Sequence, residues 1–93
     1  MLPYTIDNPI ANPVSTIVEV TVDFGGGHKR WCFFATPAAL AVCGDWVNGS
    51  RVRVHLGVPH MIIVSELSAG IVDGVLNELY DRGELEAHTA PLS

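Results

Sequence analysis

The sequence predicts an α+β domain of two layers in the order ββαββα: a four-stranded, mostly antiparallel sheet with two helices on one face. Three observations predict it. Residues 16–24 and 50–56 alternate apolar and polar side chains, the mark of strands with one dry and one wet face. Thr36-Pro37 and Ser68 each precede a run with helical spacing, where a hydroxyl accepts from the free amides of a first turn. The pattern also repeats as ββα. With Thr36 laid on Ser68, Val20 and Val22 fall on Val52 and Val54, Gly25 on Gly57, and His28 on His60. Leu40, Cys43 and Val47 then fall on Val72, Val75 and Leu79. Strand pairs that each lead into a helix suit one sheet covered on one side.

At 93 residues the chain has room for one core. Apolar residues make up 48% and charged residues 16%, with a mean hydropathy of +0.33. That composition excludes a disordered acidic chain. Five Lys and Arg against ten Asp and Glu give a net charge of −5, the wrong sign for a protein that neutralises phosphates, so no nucleic acid partner is expected. No apolar run approaches the roughly 18 residues of a membrane-spanning helix.

Residues 1–15 hold Pro3, Pro9 and Pro13 among Leu2, Tyr4, Ile6, Ile10 and Val14. Proline removes backbone donors, so this arm cannot form a helix or a central strand. Its apolar residues place it across its own domain or a neighbour's. It has neither the basic start nor the unbroken apolar run of a secretory signal. The domain proper spans 16–86. Val18, Val20, Val22 and Phe24 face one way on the first strand, and Gly25-Gly26-Gly27 ends it in a hairpin turn. Residues 30–35 are apolar on both faces and read as a covered or central strand.

The first helix starts at Pro37, whose missing donor would be unpaired there anyway, and runs to Asn48-Gly49. Leu40, Cys43 and Val47 form its stripe. The third strand, 50–56, sets Val52, Val54 and Leu56 against Arg51, Arg53 and His55. The fourth spans His60 to Leu67. The second helix covers about 69–82, with Ile71, Val75 and Leu79 in one row and Val72 and Leu76 in the next. Residues 87–93 read as a tail.

Several clusters hold residue types that could carry chemistry. Gly25 to Arg30 resembles an anion cradle in composition, but the spacing to Lys29 is not that of a phosphate-binding loop and a strand follows, so a hairpin turn fits better. His28 and His60 occupy matching turn positions and are the candidate ligand-binding pair, yet no spacing supports a metal, and no metal or cofactor is expected. Cys32 with His28 or His60 is the one thinkable nucleophilic pairing. Its apolar strand should raise the thiol pKa and oppose reactivity. Cys32 and Cys43 read as two reduced, buried thiols, which fits a cytoplasmic setting. Asp73, Glu78, Asp81, Glu84 and Glu86 read as the solvated side of the last helix and its exit.

The cations gather elsewhere. Lys29, Arg30, Arg51 and Arg53 lie in the strand half, and the wet side of the third strand, Arg51, Arg53 and His55, matches Glu19 and Asp23 in charge, within one sheet or between two. With no catalytic constellation, the expected role is a non-catalytic protein-protein interaction domain of the adaptor, inhibitor or immunity type, binding another protein or a second copy as a homodimer. Its candidate contacts are Lys29, Arg30, Trp31, Trp46, Arg51, Arg53 and His55, since aromatic residues and Arg dominate interface energies. The alternative is a small-molecule or metal-binding domain built on His28 and His60.

Overall fold

The computed structural model of the chain describes residues 1–43, 45–46, 50, 52–55 and 57–92. In chain order the elements are β1 (Tyr4–Ile6), β2 (Ile17–Asp23), β3 (Lys29–Ala35), α1 (Pro37–Val42), β4 (Asp45–Trp46), β5 (Arg53–Val54), β6 (Met61–Ile63), α2 (Ala69–Asp81) and β7 (Ala90–Pro91). The class is α+β, a mostly antiparallel sheet with two helices. The main sheet runs β1-β2-β3-β6, and β7 also pairs with β3.

The centre of the sheet is the β2–β3 hairpin, paired from Ile17↔Ala35 to Asp23↔Lys29. Its turn is possible because Gly25, Gly26 and Gly27 all take positive φ, at 88°, 60° and 79°, a region that side chains disfavour. The Asp23 carboxylate accepts from the Gly25 amide at 2.8 Å and fixes the exit from β2. The proline-bearing arm supplies β1, antiparallel to β2 with Tyr4 opposite Val22. An edge is where a strand flanked by prolines can sit.

One face of this sheet is dry. Val18, Val20, Val22, Cys32 and Phe34 form a continuous core with Val72 and Leu76 of α2, closed by Leu67 and Leu85. Val72 and Leu76 lie four apart, on one side of the helix. Each fully buried aliphatic side chain contributes about 1.5–3 kcal/mol. Both predicted caps form: the Thr36 hydroxyl accepts from the Ala39 amide, and the Ser68 hydroxyl from the Ile71 amide.

The structure corrects several expectations. The first helix ends at Val42, not at Asn48, and Cys43 is extended and exposed rather than buried. Val42 and Val47 are β-branched and Gly44 interrupts the run, so little favours further turns, and Asp45–Trp46 pair with Arg53–Val54 instead. Arg53–Val54 of the expected third strand therefore lie outside the main sheet, in a separate two-stranded ladder of β4 and β5, while Arg51 and Leu56 lie outside the described residues. Glu19 and Asp23 thus do not lie beside a strand carrying Arg53. The second ββ pair does not copy the first, because β6 joins β3 in parallel, with Phe33 beside Met61. Residues 90–91 of the expected tail form β7 on β3, with Ala90 opposite Trp31.

Candidate functional site

Strand geometry assigns the other face of the sheet. With Val18, Val20, Val22, Cys32 and Phe34 turned inward, Ile17, Glu19, Thr21, Trp31, Phe33 and Ala35 turn outward. Met61 and Ile63 join that face, since they pair with Phe33 and Ala35. Of these outward residues only Ala35 is buried. Ile17 is 39% exposed and Ile63 54%.

The middle of this face is aromatic. The Trp31 and Phe33 rings stack with centroids 5.8 Å apart. The His60 imidazole meets Trp31 edge-on at 4.7 Å and Phe33 at 5.5 Å. His60 is placed there by its own backbone, whose carbonyl accepts from the Phe33 amide at 2.9 Å. The result is a half-open platform of three rings, with Glu19 and Thr21 beside Phe33 and Trp31 on β2, Met61 beside Phe33 on β6, and Ile17 and Ile63 one pair further on, flanking Ala35. Edge and stacked ring pairs each add about 0.5–1.5 kcal/mol beyond burial, so the platform is ordered before anything binds it.

The other candidates have different surroundings. Arg30 turns towards the C-terminal segment: Nε donates to Thr89 Oγ1 at 2.8 Å, and one terminal nitrogen donates to the carbonyls of Thr89 and Glu86 at 2.7 and 3.1 Å. It acts as a clamp on residues 86–89. His55 is tied by Nε2 to the Leu40 carbonyl at 2.8 Å, joining the segment after β5 to α1. Arg53 is half-buried on β5 and Lys29 is exposed. Trp46 lies in β4. Among the described candidates, Trp31 and His60 come into ring contact, and His28, Lys29 and Arg30 line one cleft.

His28 sits in the exposed hairpin turn, three residues before Trp31, roughly 10 Å along the strand from the ring that His60 touches. His28 and Lys29 border a shallow cleft of about 300 Å³ that Glu86 also lines, and that carboxylate opposes an anion. Among the described residues, no group of three His, Cys, Asp or Glu side chains converges as metal ligands. Burial pushes the Cys32 thiol up to about 12, so it carries almost no thiolate at neutral pH. Sequence reasoning missed a groove of about 760 Å³ between the arm and α2, walled by Ile6, Pro9, Ile10, Pro13, Leu67 and Ala69. The apolar residues of the arm were its only local signal.

Among the described residues no helix is long and apolar enough to cross a membrane. No family model, curated protein or solved structure matches the chain.

Proposed function

We propose that the chain is a non-catalytic protein-protein interaction domain, of the adaptor, inhibitor or immunity type, that binds through the outward face of its sheet and works as a homodimer in the cytoplasm. The observation that carries the reading is the half-open platform of Trp31, Phe33 and His60, continued along the same face by exposed Ile17 and Ile63 on either side of Ala35. Aromatic anchors in a preformed apolar patch are what concentrates binding energy at protein interfaces. A rigid sheet face also avoids most of the ordering cost of association. The buried, protonated Cys32 offers no nucleophile against this reading.

The test is native mass spectrometry of the untagged protein from its own source, beside the Ile17→Asp variant. The expected result is a complex containing a second polypeptide, weakened at least about tenfold by Ile17→Asp with the circular dichroism unchanged. A spectrum holding only the bare chain at every concentration overturns the reading.

A second reading, small-molecule binding, is favoured by the groove beside the arm rather than by the histidines. Its volume lies within the range of ligand pockets, and its walls are mostly apolar with Asp7, Asn8 and Ser68 as the polar groups. Fluorescence titration with 8-anilinonaphthalene-1-sulfonate tests it. Saturable binding lost in Ile10→Lys supports it, and no saturable binding removes it.

A further inference from the structure

We infer that two copies of the chain join through the open edge of β6, continuing the sheet antiparallel across a two-fold axis at Ile63. The inference rests on the interaction reading, takes the homodimer from it and assigns it to the strand edge, leaving the outward sheet face for another protein. β6 ends the main sheet, and among the described residues nothing pairs with its far side. The direction of its backbone groups follows from the ladder. The His60 carbonyl accepts from Phe33, and the Val64 amide donates to Ala35. In a parallel ladder alternate residues bond to the same neighbour. The amide and carbonyl of Ile63 therefore point out of the sheet, as does the Met61 carbonyl.

The two edges of the sheet are built differently. At β1, Pro3 and Pro9 flank a three-residue strand, a common guard against pairing with another chain. β6 has no such guard. Met61-Ile62-Ile63-Val64 is an uncharged, apolar run without proline, β-branched from Ile62 on, and Ile63 is more than half exposed. Unpaired donors and acceptors along such a strand are satisfied by an extended strand.

That the strand belongs to a second copy follows from the residues brought together. Pairing about Ile63 sets Ile63 against Ile63 and Ile62 against Val64, apolar against apolar on both faces. The same register carries the exposed Glu66 of one copy towards His60 of the other, where acid meets base. The Met61 amide already donates to the Val58 carbonyl at 3.1 Å, and a two-fold at Ile63 does not require it. A partner chosen by charge would find no ion among residues 61–64. So short an edge buries less than a permanent dimer needs, which places the dissociation constant in the micromolar range, about 1–100 μM.

The experiment combines sedimentation velocity with residue-resolved amide exchange at low and high protein concentration. The wild type is expected to double from the mass of one 10.0 kDa chain as concentration rises. The Ile63 amide should become protected in step, while the inward Ile62 amide stays protected throughout. Ile63→Pro removes only an outward donor and should hold the chain monomeric. Ile63→Lys should do the same by charge, with the melting temperature nearly unchanged, so the result does not rest on one variant's folding. A wild type that stays monomeric overturns the inference. So does a dimer whose Ile63 amide exchanges equally fast at both concentrations. If that dimer dissociates in Ile17→Asp, which lies two strands from β6, the copies join through the sheet face and the interaction reading survives alone.

Discussion

The phenol of Tyr4 donates to Oδ1 of Asp73 at 2.7 Å, joining the N-terminal arm to α2. Tyr4 also packs against the core. The arm is thereby strapped across its own domain through a bond between residues 69 positions apart. Tyr4→Phe keeps the packing and removes the bond. The expected loss is about 0.5–1 kcal/mol in urea unfolding at neutral pH. The bond to the Asp73 carboxylate, with burial and that negative charge, raises the Tyr4 pKa above its ordinary 10.0. Between the unfolded and folded values the folded chain holds the extra proton, so this stability is full below pH 10 and lost above it. The difference between wild type and Tyr4→Phe should therefore shrink as the pH is raised past 10. A difference that stays constant there would show that the phenolic proton is not involved.

Arg30 is the second strap. Its guanidinium reaches Thr89 and Glu86 through three hydrogen bonds, and the Thr89 hydroxyl in turn donates to the Leu85 carbonyl at 3.0 Å. Lysine keeps the charge but not the fork. Arg30→Lys should cost roughly 1–2 kcal/mol and speed amide exchange across residues 86–92, leaving the β2–β3 hairpin protected. Equal protection of both regions in the variant would mean that β7 alone holds the C-terminal segment.

These straps also mark the limit of what the sequence discloses. Alternation along Val18, Val20 and Val22, the triple-glycine turn, both hydroxyl caps and the buried stripe of α2 are local patterns, and each could be read in place. The destination of Arg30 is 59 residues away, and no local pattern encodes it. Residues 50–56 alternate as a strand should, but alternation does not say which strand lies alongside, and β5 pairs with β4. The parallel contact of β3 with β6 was hidden for the same reason. Of the platform, Trp31 was legible as a candidate aromatic contact, although its strand read as covered on both faces. Its meeting with His60 depends on that parallel register.

Burial grades the cost of truncating α2. Leu76 is fully buried in the core, whereas Ile71 is 40% exposed. Leu76→Ala should cost about 2–5 kcal/mol, the transfer loss plus the cavity. A domain of this length has a total stability of roughly 5–14 kcal/mol, at about 0.05–0.15 per residue, so this variant is left close to unfolding. Ile71→Ala should cost no more than about 1 kcal/mol. Urea midpoints of the two variants check the order. Equal midpoints would mean that α2 packs on the sheet through a different stripe.

The two thiols should separate cleanly by reactivity. Cys43 is exposed at the end of α1, and Cys32 is buried within β3. Burial raises the Cys32 pKa from 9.0 to about 12, and the reactive species is the thiolate. At pH 8 a disulfide reagent should therefore modify one equivalent quickly, at Cys43, and a second only as fast as the chain opens. Cys43→Ser should abolish the fast phase, and denaturant should make the one remaining equivalent react quickly. The same shift fixes the alkaline behaviour. Above pH 9 the unfolded chain releases the Cys32 proton and the folded chain retains it, so stability declines from pH 9 until the folded thiol ionises near pH 12. Cys32→Ala removes that slope, at the cost of a small cavity between Val20 and Phe34. A fast second equivalent in the folded protein at pH 8 would mean that solvent reaches Cys32 through the sheet, and the rigid core assigned to β2, β3 and α2 would have to be abandoned.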